Sequence, residues 1–250
     1  MKLTQSAKRE KEFHEKRYLD GIGSRGLVSK AYIAYQFAVD HWTFLTKASK
    51  SRVLEIGCSI GINRAKKYNE KECSYTGIDI SENCIKKNKD LAQLAGLDVE
   101  YIFDDANSLN SIKGRKFDLI FMNGVLHHLD YDVVLPTLSS LLDKNGKVIM
   151  LEPLKTNPLI NLFRNFTPNL RTVDEHPLNF KDLKYIKRFF PGTKFKLHCI
   201  VSMVLIPCAL FVSEKILFKL YRPLGKLDLL LAKIPLIKRL SWLVVIEAKY

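Results

Sequence analysis

Four short segments of this 250-residue sequence combine glycines with acidic or amide side chains, a chemistry suited to binding a nucleoside. The first, residues 55–61 (EIGCSIG), follows an apolar run, and its glycines let the backbone approach a ligand without a Cβ in the way. Asp79 comes 22 positions after Gly57, and a carboxylate there can accept hydrogen bonds from both hydroxyls of a ribose. Residues 104–106 (DDA) can accept from an exocyclic amine such as that of adenine, and residues 123–128 (NGVLHH) would face a reaction centre.

The spacing of the glycines argues against a dinucleotide site. A G-x-G-x-x-G motif would need glycine at positions 57, 59 and 62, and the sequence has Ser59 and Ile62. The candidate cofactor-binding residues in the four segments are Glu55, Gly57, Cys58, Ser59, Gly61, Asp79, Ile80, Asp105, Ala106 and Asn123.

Two histidines are candidates for a general base, because a neutral imidazole can take a proton from a hydroxyl near pH 7. The first is one of the adjacent pair His127 and His128 in the fourth segment, with His127 preferred, and the second is His176, which follows the fifth predicted strand. For both, a structural role in packing or capping a helix stays open. No metal site is expected, since adjacent helical side chains such as His127 and His128 point about 100° apart. No cysteine or carboxylate cluster in the sequence completes a ligand set.

The elements that position these segments are predicted to alternate between strands and helices. Such alternation indicates right-handed βαβ units and a parallel sheet that is covered on both faces. A turn is predicted at Asn145-Gly146, and the three glycines Gly21, Gly23 and Gly26 separate the first two helices. The predicted strands are 52–57, 74–79, 99–103, 117–122, 147–151, 194–206 and 241–248. The predicted helices are 6–20 (solvent-exposed), 30–47, 62–71, 81–95 (N-capped by Ser81), 131–142, 179–190 and 213–240, the last broken at Pro223 and Pro235.

These segments together resemble class I methyltransferases that use S-adenosylmethionine. VLEIGCSIG (53–61) resembles that family's glycine motif, GIDIS (77–81) its ribose-binding acidic strand, and FDLIFMNGVLHHL (117–129) its fourth strand and following loop. LLDKNGKVIMLEP (141–153) resembles its fifth strand, and Ser59 stands where the family usually has glycine. The resemblance implies S-adenosylmethionine as cofactor. It also implies a doubly wound α/β fold, with a seven-stranded, mostly parallel sheet, an antiparallel last strand and helices on both faces.

The resemblance further implies transfer of the sulfonium methyl group to an acceptor atom. Family members that act on base amines hold a flipped base with an Asn/Asp-Pro-Pro-aromatic motif after strand four, whereas residues 123–126 read NGVL. We therefore expect a small-molecule, glycan or lipid-linked acceptor, with oxygen favoured and nucleic acid disfavoured. A methyltransferase of RNA or protein, or a non-catalytic binding or scaffold protein of the same fold, remains an alternative.

The formal net charge of +14 is concentrated in the last quarter of the chain, where residues 181–250 hold 14 Lys and Arg against 4 Asp and Glu. Within it, residues 213–240 join leucines at near-helical spacing with basic side chains. This pattern predicts either contact with an anionic membrane surface or a helical lid over the acceptor pocket. We expect an N-terminal helical cap (1–49) and a methyltransferase domain (50–250) with a helical insertion near 207–240.

The expected location is the cytoplasm, with peripheral contact to a membrane. Five cysteines without a paired spacing fit a reducing compartment, and the charged N-terminus lacks the apolar core of a signal peptide. The uncharged run 200–212 is shorter than the roughly 20 residues of a membrane-spanning helix.

Overall fold

Seven strands form one sheet in the computed structural model, which describes residues 4–19, 32–168, 172–209 and 211–250. The strands are β1 (Arg52–Ile56), β2 (Ser74–Asp79), β3 (Val99–Phe103), β4 (Phe117–Asn123), β5 (Leu142–Pro153), β6 (Lys194–His198) and β7 (Leu243–Ala248). They lie in the order β3-β2-β1-β4-β5-β7-β6. Strand β7 is antiparallel to both of its neighbours, and the pairs among β1 to β5 are parallel. The predicted fold class is confirmed.

Helices cover both faces of this sheet because alternate residues of each buried strand enter opposite cores. In β4, Leu119 and Phe121 pack into one hydrophobic cluster and Ile120 and Met122 into the other. The α-helices are α1 (Gln5–Leu19), α2 (Gln36–Leu45), α3 (Ile62–Asn69), α4 (Glu82–Leu94), α5 (Tyr131–Leu141), α6 (Pro158–Phe166), α7 (Phe180–Phe189), α8 (Leu205–Cys208) and α9 (Glu214–Leu231). Helices α2, α3 and α4 add buried side chains to the first cluster, and α5 and α7 add them to the second.

The strand order reverses between β1 and β4, which are neighbours in the sheet although β2 and β3 lie between them in sequence. In open α/β sheets, ligands bind beyond the carboxyl ends of the strands at such a reversal. The four segments selected from the sequence follow the carboxyl ends of β1, β2, β3 and β4. The fold therefore gathers them at one edge of the sheet.

Local capping signals place several helices where the sequence predicts them. The Ser81 side chain accepts from the amide of Cys84 at 3.1 Å, so its predicted role as the N-cap of α4 is confirmed. Helix α6 was not predicted, although Asn157 caps it and Pro158 occupies its first turn. The predicted helix 30–47 is a short 3₁₀ turn (Tyr32–Ala34) followed by α2, and Gly21, Gly23 and Gly26 lie outside the described residues.

Three predicted boundaries are wrong for identifiable physical reasons. Asn145-Gly146 does not end an element but lies in an irregularity of β5, because Phe117 pairs with Leu142 and Leu119 with Lys147. Strand β6 ends at His198, not 206, because the buried Asp228 carboxylate accepts from the amides of residues 199, 201 and 202 and turns the chain. Helix α9 runs through Pro223, which is exposed, so water can reach the carbonyl that loses its donor. Among the described residues, no helix has the length and apolarity needed to span a bilayer.

Candidate active site

A cavity of about 530 Å³ opens at the carboxyl ends of β1 to β4. Its wall contains seven of the ten residues that the sequence proposes for cofactor binding. These seven are Gly57, Ser59, Asp79, Ile80, Asp105, Ala106 and Asn123.

The loop after β1 presents backbone to the cavity. Gly57 has a φ of +72°, and a Cβ there would lie 2.4 Å from a methyl carbon of Val125, so the position requires glycine. Ser59 also has a positive φ, +44°, a conformation uncommon for a residue with a side chain. Its amide donates to Oδ2 of Asp79 at 2.7 Å, and this hydrogen bond ties the loop to the end of β2.

Asp79 faces the cavity with a carboxylate whose orientation is fixed by backbone amides. The Ser59 amide binds Oδ2, and the Ser81 amide donates to Oδ1 at 2.9 Å. Burial raises the pKa of Asp79, and the hydrogen bonds from Ser81 and Ser59 oppose that rise. Each carboxylate oxygen has a second lone pair, so Asp79 can still accept two hydroxyls from a ligand.

The turn after β3 is held by a second, fully buried carboxylate. Asp104 accepts from the amides of Asp105 at 2.8 Å and Ser111 at 2.7 Å. Asp105 accepts in turn from the amide of Asn107 at 2.9 Å through Oδ1. These bonds place Asp105 and Ala106 in the cavity wall.

The other three proposed cofactor residues, Glu55, Cys58 and Gly61, lie behind the wall of the cavity. Glu55 is buried against Arg64 and accepts from the Tyr75 hydroxyl at 2.5 Å. Burial raises the pKa of Glu55, and Arg64 acts against that rise. Cys58 is fully buried, and Gly61 begins α3 with its amide bonded to a side-chain oxygen of residue 88. All three brace the loop that carries Gly57 and Ser59, and none of them lines the cavity.

A fully buried carboxylate also fixes the loop after β4. Glu152, near the end of β5, accepts from the amides of Val125 at 3.1 Å and Leu126 at 2.8 Å. Its other oxygen lies 2.7 Å from Nδ1 of His127. His127 is therefore buried and bonded inside the protein and lines neither described cavity, so the structure does not support its predicted role as a base. His128, the other histidine of the adjacent pair, lines both.

Helix α1 covers the first cavity, so the prediction that it is solvent-exposed is wrong. Ala7, Glu10 and His14 on one side of the helix line the cavity. Arg9 on another side forms a two-point ion pair with Asp174, with both distances 2.7 Å. Polar contacts rather than an apolar face hold this helix, which is why hydrophobic periodicity could not detect its position.

On the buried side of α1, polar side chains cluster around Glu10, which is 6% exposed. Its Oε1 lies 3.0 Å from Nδ1 of His128 and also accepts from the Thr172 hydroxyl. Burial acts to raise the pKa of Glu10, but hydrogen bonds from His128, His14 and Thr172 outweigh it and hold the pKa well below its ordinary value. An ionised Glu10 therefore orients the His128 ring from the covering helix.

A second cavity, of about 1120 Å³, adjoins the first. His176, the other histidine proposed as a base, lines this cavity, and its amide donates to the carbonyl of His127 at 2.7 Å. The fold thus brings His176 and His128 to the wall of one cavity. The residues that line both cavities are Ser6, Asp105, Asn107, His128 and Leu129.

The second cavity is acidic although the chain is basic overall. Its described lining has one lysine, Lys155, against several aspartates. Asp132 accepts from the Tyr185 hydroxyl, and the others take part in caps and ion pairs at the rim. These aspartates are Asp105, Asp130, Asp132, Asp174 and Asp182.

Residues 32–200, more than half of the chain, match a family model described as a methyltransferase domain. The chain belongs to this methyltransferase family. No curated protein sequence matches it.

Solved structures with the same fold include enzymes of different chemistry. The chain is 16% identical, with a TM-score of 0.63, to the Haemonchus contortus phosphoethanolamine N-methyltransferase 2 in complex with phosphomonomethylethanolamine and S-adenosylhomocysteine. The match covers 99% of this chain and 60% of that one, so the chain spans less than two thirds of that neighbour. The magnesium protoporphyrin IX methyltransferase of Synechocystis PCC 6803, with S-adenosylhomocysteine bound, is 17% identical with a TM-score of 0.57, over 96% of this chain and 94% of that one. The [4+2]-cyclase SpnF is 15% identical with a TM-score of 0.54, over 85% of this chain and 79% of that one. At these identities the likeness shows the fold alone.

The geometry of the site also corrects the argument made from sequence about metals. The rings of His127 and His128, which lie in a 3₁₀ turn, do not diverge, and their centroids are 4.1 Å apart. Ligand atoms of His127, His128 and Glu175 all lie within 4.8 Å of one another. Two imidazoles and a carboxylate do converge here, which removes the geometric reason for expecting no metal site.

Proposed function

We propose that the methyltransferase binds S-adenosylmethionine in the first cavity and transfers its methyl group to an acceptor in the second. The observation that carries this proposal is the shared wall of the two cavities, where His128 faces both. A cofactor in one cavity and an acceptor in the other would meet at this wall. In the proposal, Asp79 accepts from the ribose hydroxyls, Asp105 accepts from the adenine amine, and the backbone from Gly57 to Ser59 packs against the cofactor.

The methyl transfer requires little covalent chemistry from the protein. The acceptor atom forms a bond to the methyl carbon as the carbon–sulfur bond breaks, and the sulfonium leaves as the neutral thioether of S-adenosylhomocysteine. The protein must align the acceptor with that bond and exclude water. Helix α1 supports the second task because it covers the first cavity and is held by the ion pair between Arg9 and Asp174, a residue of the second cavity.

We propose a hydroxyl acceptor on a small molecule, a glycan or a lipid-linked compound. A hydroxyl must lose a proton as it attacks, and His128 is placed to take that proton in the shared wall. Glu10 holds Nδ1 of His128, which leaves the other ring nitrogen for the acceptor. His176 stays a second candidate base, since it lines the acceptor cavity.

A specific observation favours a second class, an amine acceptor. The aspartates of the second cavity outnumber its lysine, and a carboxylate-lined cavity favours a protonated amine over a neutral alcohol. The same charge disfavours a nucleic acid acceptor, whose phosphates would meet these carboxylates.

We also propose that residues 213–240 contact a membrane surface from the cytoplasmic side. The free cysteines support a reducing compartment. The helical-lid alternative has no support, because no residue of 205–209 or 211–250 lines either cavity among the described residues.

Two measurements test the proposed function. Calorimetry should show binding of S-adenosylmethionine and S-adenosylhomocysteine but not of NAD, and absence of any binding would refute the cofactor. With acceptor panels of alcohols, glycans and amines, S-adenosylhomocysteine should form with one class and a methylated product of matching mass should appear. Binding without turnover on any panel would favour the scaffold alternative.

A further inference from the structure

Helix α6 turns a row of large apolar side chains toward solvent. Leu159, Leu162, Phe163 and Phe166 follow the i, i+3, i+4, i+7 spacing that places residues on one helix face. Leu159 is 68% exposed and Phe166 is 78% exposed, whereas Ile160 on the inner face is buried. Contiguous apolar surface of this kind marks a contact site for a partner or a membrane.

Helix α9 carries a second exposed apolar row beside a basic one. At about 100° per residue, its circumference divides into three sectors. The inner sector is buried and contains Leu217, Tyr221, Gly225 and Asp228. The exposed apolar sector contains Ile216, Leu220, Leu227 and Leu230, and the basic sector beside it contains Lys215, Lys219, Arg222 and Lys226.

Close packing and hydrogen bonds hold the inner sector of α9 in place. The helix therefore cannot rotate to bury its outer face in the core. A Cβ on Gly225 would lie 2.2 Å from the ring of Phe37, which shows how closely α9 packs against α2. Asp228 accepts from the amides of Val201 at 2.7 Å and Cys199 at 3.1 Å and from the Ser202 hydroxyl at 2.6 Å. The leucines of the outer sector therefore have no place to bury within the described chain.

The two helices are joined through one short segment. The Asn157 side chain, which caps α6, also donates to the carbonyl of Leu240, shortly after α9 ends. Leu236 and Leu240 between them are exposed as well. Exposed leucines thus follow α9 along the chain up to the residue that contacts the cap of α6.

The charge of this surface selects its partner. Residues 213–240 hold seven Lys and Arg against two acidic residues, one of which, Asp228, is buried. Apolar side chains beside basic ones favour an anionic bilayer, where the apolar row enters the acyl boundary and the basic row meets the headgroups.

Helix α6 also lies next to the acceptor cavity. Its Arg164 forms a 2.7 Å ion pair with Glu175, whose neighbours Asp174 and His176 line that cavity. We propose that α6 inserts into an anionic membrane while α9 supplies the cationic contacts, so that a lipid-linked acceptor reaches the second cavity from the bilayer. The last part rests on the proposed methyl transfer, whereas membrane insertion does not.

Sedimentation with vesicles tests the surface directly. Full-length protein should bind vesicles of phosphatidylcholine mixed with phosphatidylglycerol and bind phosphatidylcholine alone much less. The double variant Leu162→Ser, Phe163→Ser should lose at least about tenfold in affinity with the salt dependence unchanged. The triple variant Lys215→Gln, Lys219→Gln, Lys226→Gln should instead lose most of the salt dependence. Matched controls are Leu94→Ser, which removes a side chain that is 85% exposed on α4, and Lys66→Gln, Lys67→Gln, Lys86→Gln on α3 and α4.

The variant Phe163→Trp separates membrane insertion of α6 from self-association through α6. In Phe163→Trp, brominated lipid in anionic vesicles should quench the added fluorescence, measured against the unsubstituted protein. Equal, negligible binding to both vesicle types, or no quenching, would overturn the proposal. So would self-association that the Leu162→Ser, Phe163→Ser variant abolishes without any change in vesicle binding. Calorimetry with S-adenosylmethionine on the same variants reports the cofactor site separately, so failure of membrane binding and failure of the proposed function are distinguishable.

Discussion

Replacing Asp79 by alanine is the sharpest test of the cofactor site. Its two oxygens are held by the Ser59 and Ser81 amides at 2.7 and 2.9 Å, and Asp79 lines the cavity. Asp79→Ala removes the ionised acceptor of two hydrogen bonds that the ribose hydroxyls would donate, each worth about 1.5–3 kcal/mol. The affinity for S-adenosylmethionine should then fall on the order of 100-fold or more.

Calorimetry with S-adenosylmethionine and S-adenosylhomocysteine measures this loss. Asp79→Asn, which keeps the shape and one oxygen, should fall between the alanine variant and the native protein. Asp90→Ala makes the same chemical change on the exposed surface of α4 and should leave affinity unchanged. Circular dichroism must show that Asp79→Ala folds, since the Ser59 and Ser81 amides lose an acceptor.

The pH dependence of S-adenosylmethionine affinity is a second test of Asp79. Burial raises the pKa of Asp79, so its carboxylate takes a proton at a higher pH than an ordinary aspartate does. The protonated group accepts less well, so affinity should decline with falling pH above the usual aspartate range, and Asp79→Asn should lack this decline. If folded Asp79→Ala bound S-adenosylmethionine with an unchanged dissociation constant, the assignment of the ribose site would be wrong.

Three further predictions concern the loop, the base and stability. Glu152→Ala should reduce turnover by at least about tenfold while cofactor affinity changes little, because Glu152 holds the loop of Val125 and Leu126. Kinetics and calorimetry measure the two effects. Equal losses in turnover and in affinity would contradict a positioning role. His128→Gln should lower kcat about 10²–10⁴-fold with a hydroxyl acceptor, whereas undiminished kcat would exclude it as the base. Burial lowers the pKa of His198 from 6.5 to about 3. Between these values the unfolded chain therefore binds a proton at His198 that the folded chain does not bind. The contribution of His198 to the free energy of unfolding should be present in full well above pH 6.5 and should fall by about 2 kcal/mol by pH 5. In urea unfolding, His198→Gln should flatten this pH profile. If the variant kept the same slope, the pH dependence would belong to other groups.

The covering helix shows where prediction from sequence stops. Helix α1 exists where the sequence places it, because helix propensity and capping are local. Its position over the cavity depends on partners far along the chain, such as Asp174 for Arg9 and Thr172 for Glu10. An ion pair between residues more than 160 positions apart leaves no periodic signal in either segment, so the sequence predicted exposure.

The histidines show the same limit at the level of a single turn. The segment NGVLHHL identified the loop after β4, but whether residue 127 or 128 faces the cavity depends on Glu152, which comes from β5. Its carboxylate draws His127 inward, and a 3₁₀ turn leaves His128 in the shared wall.

The sequence by itself determined the order of strands and helices, the fold class and the residues that end β1 to β4. It could do so because buried parallel strands are continuous apolar runs and their carboxyl ends share one edge. Only the tertiary structure decided that Glu55, Cys58 and Gly61 stand behind the wall and that α6 and α9 expose apolar rows. Burial is a property of what packs against a helix, and amphipathic spacing is the same whether its apolar face meets a core or a solvent-facing surface.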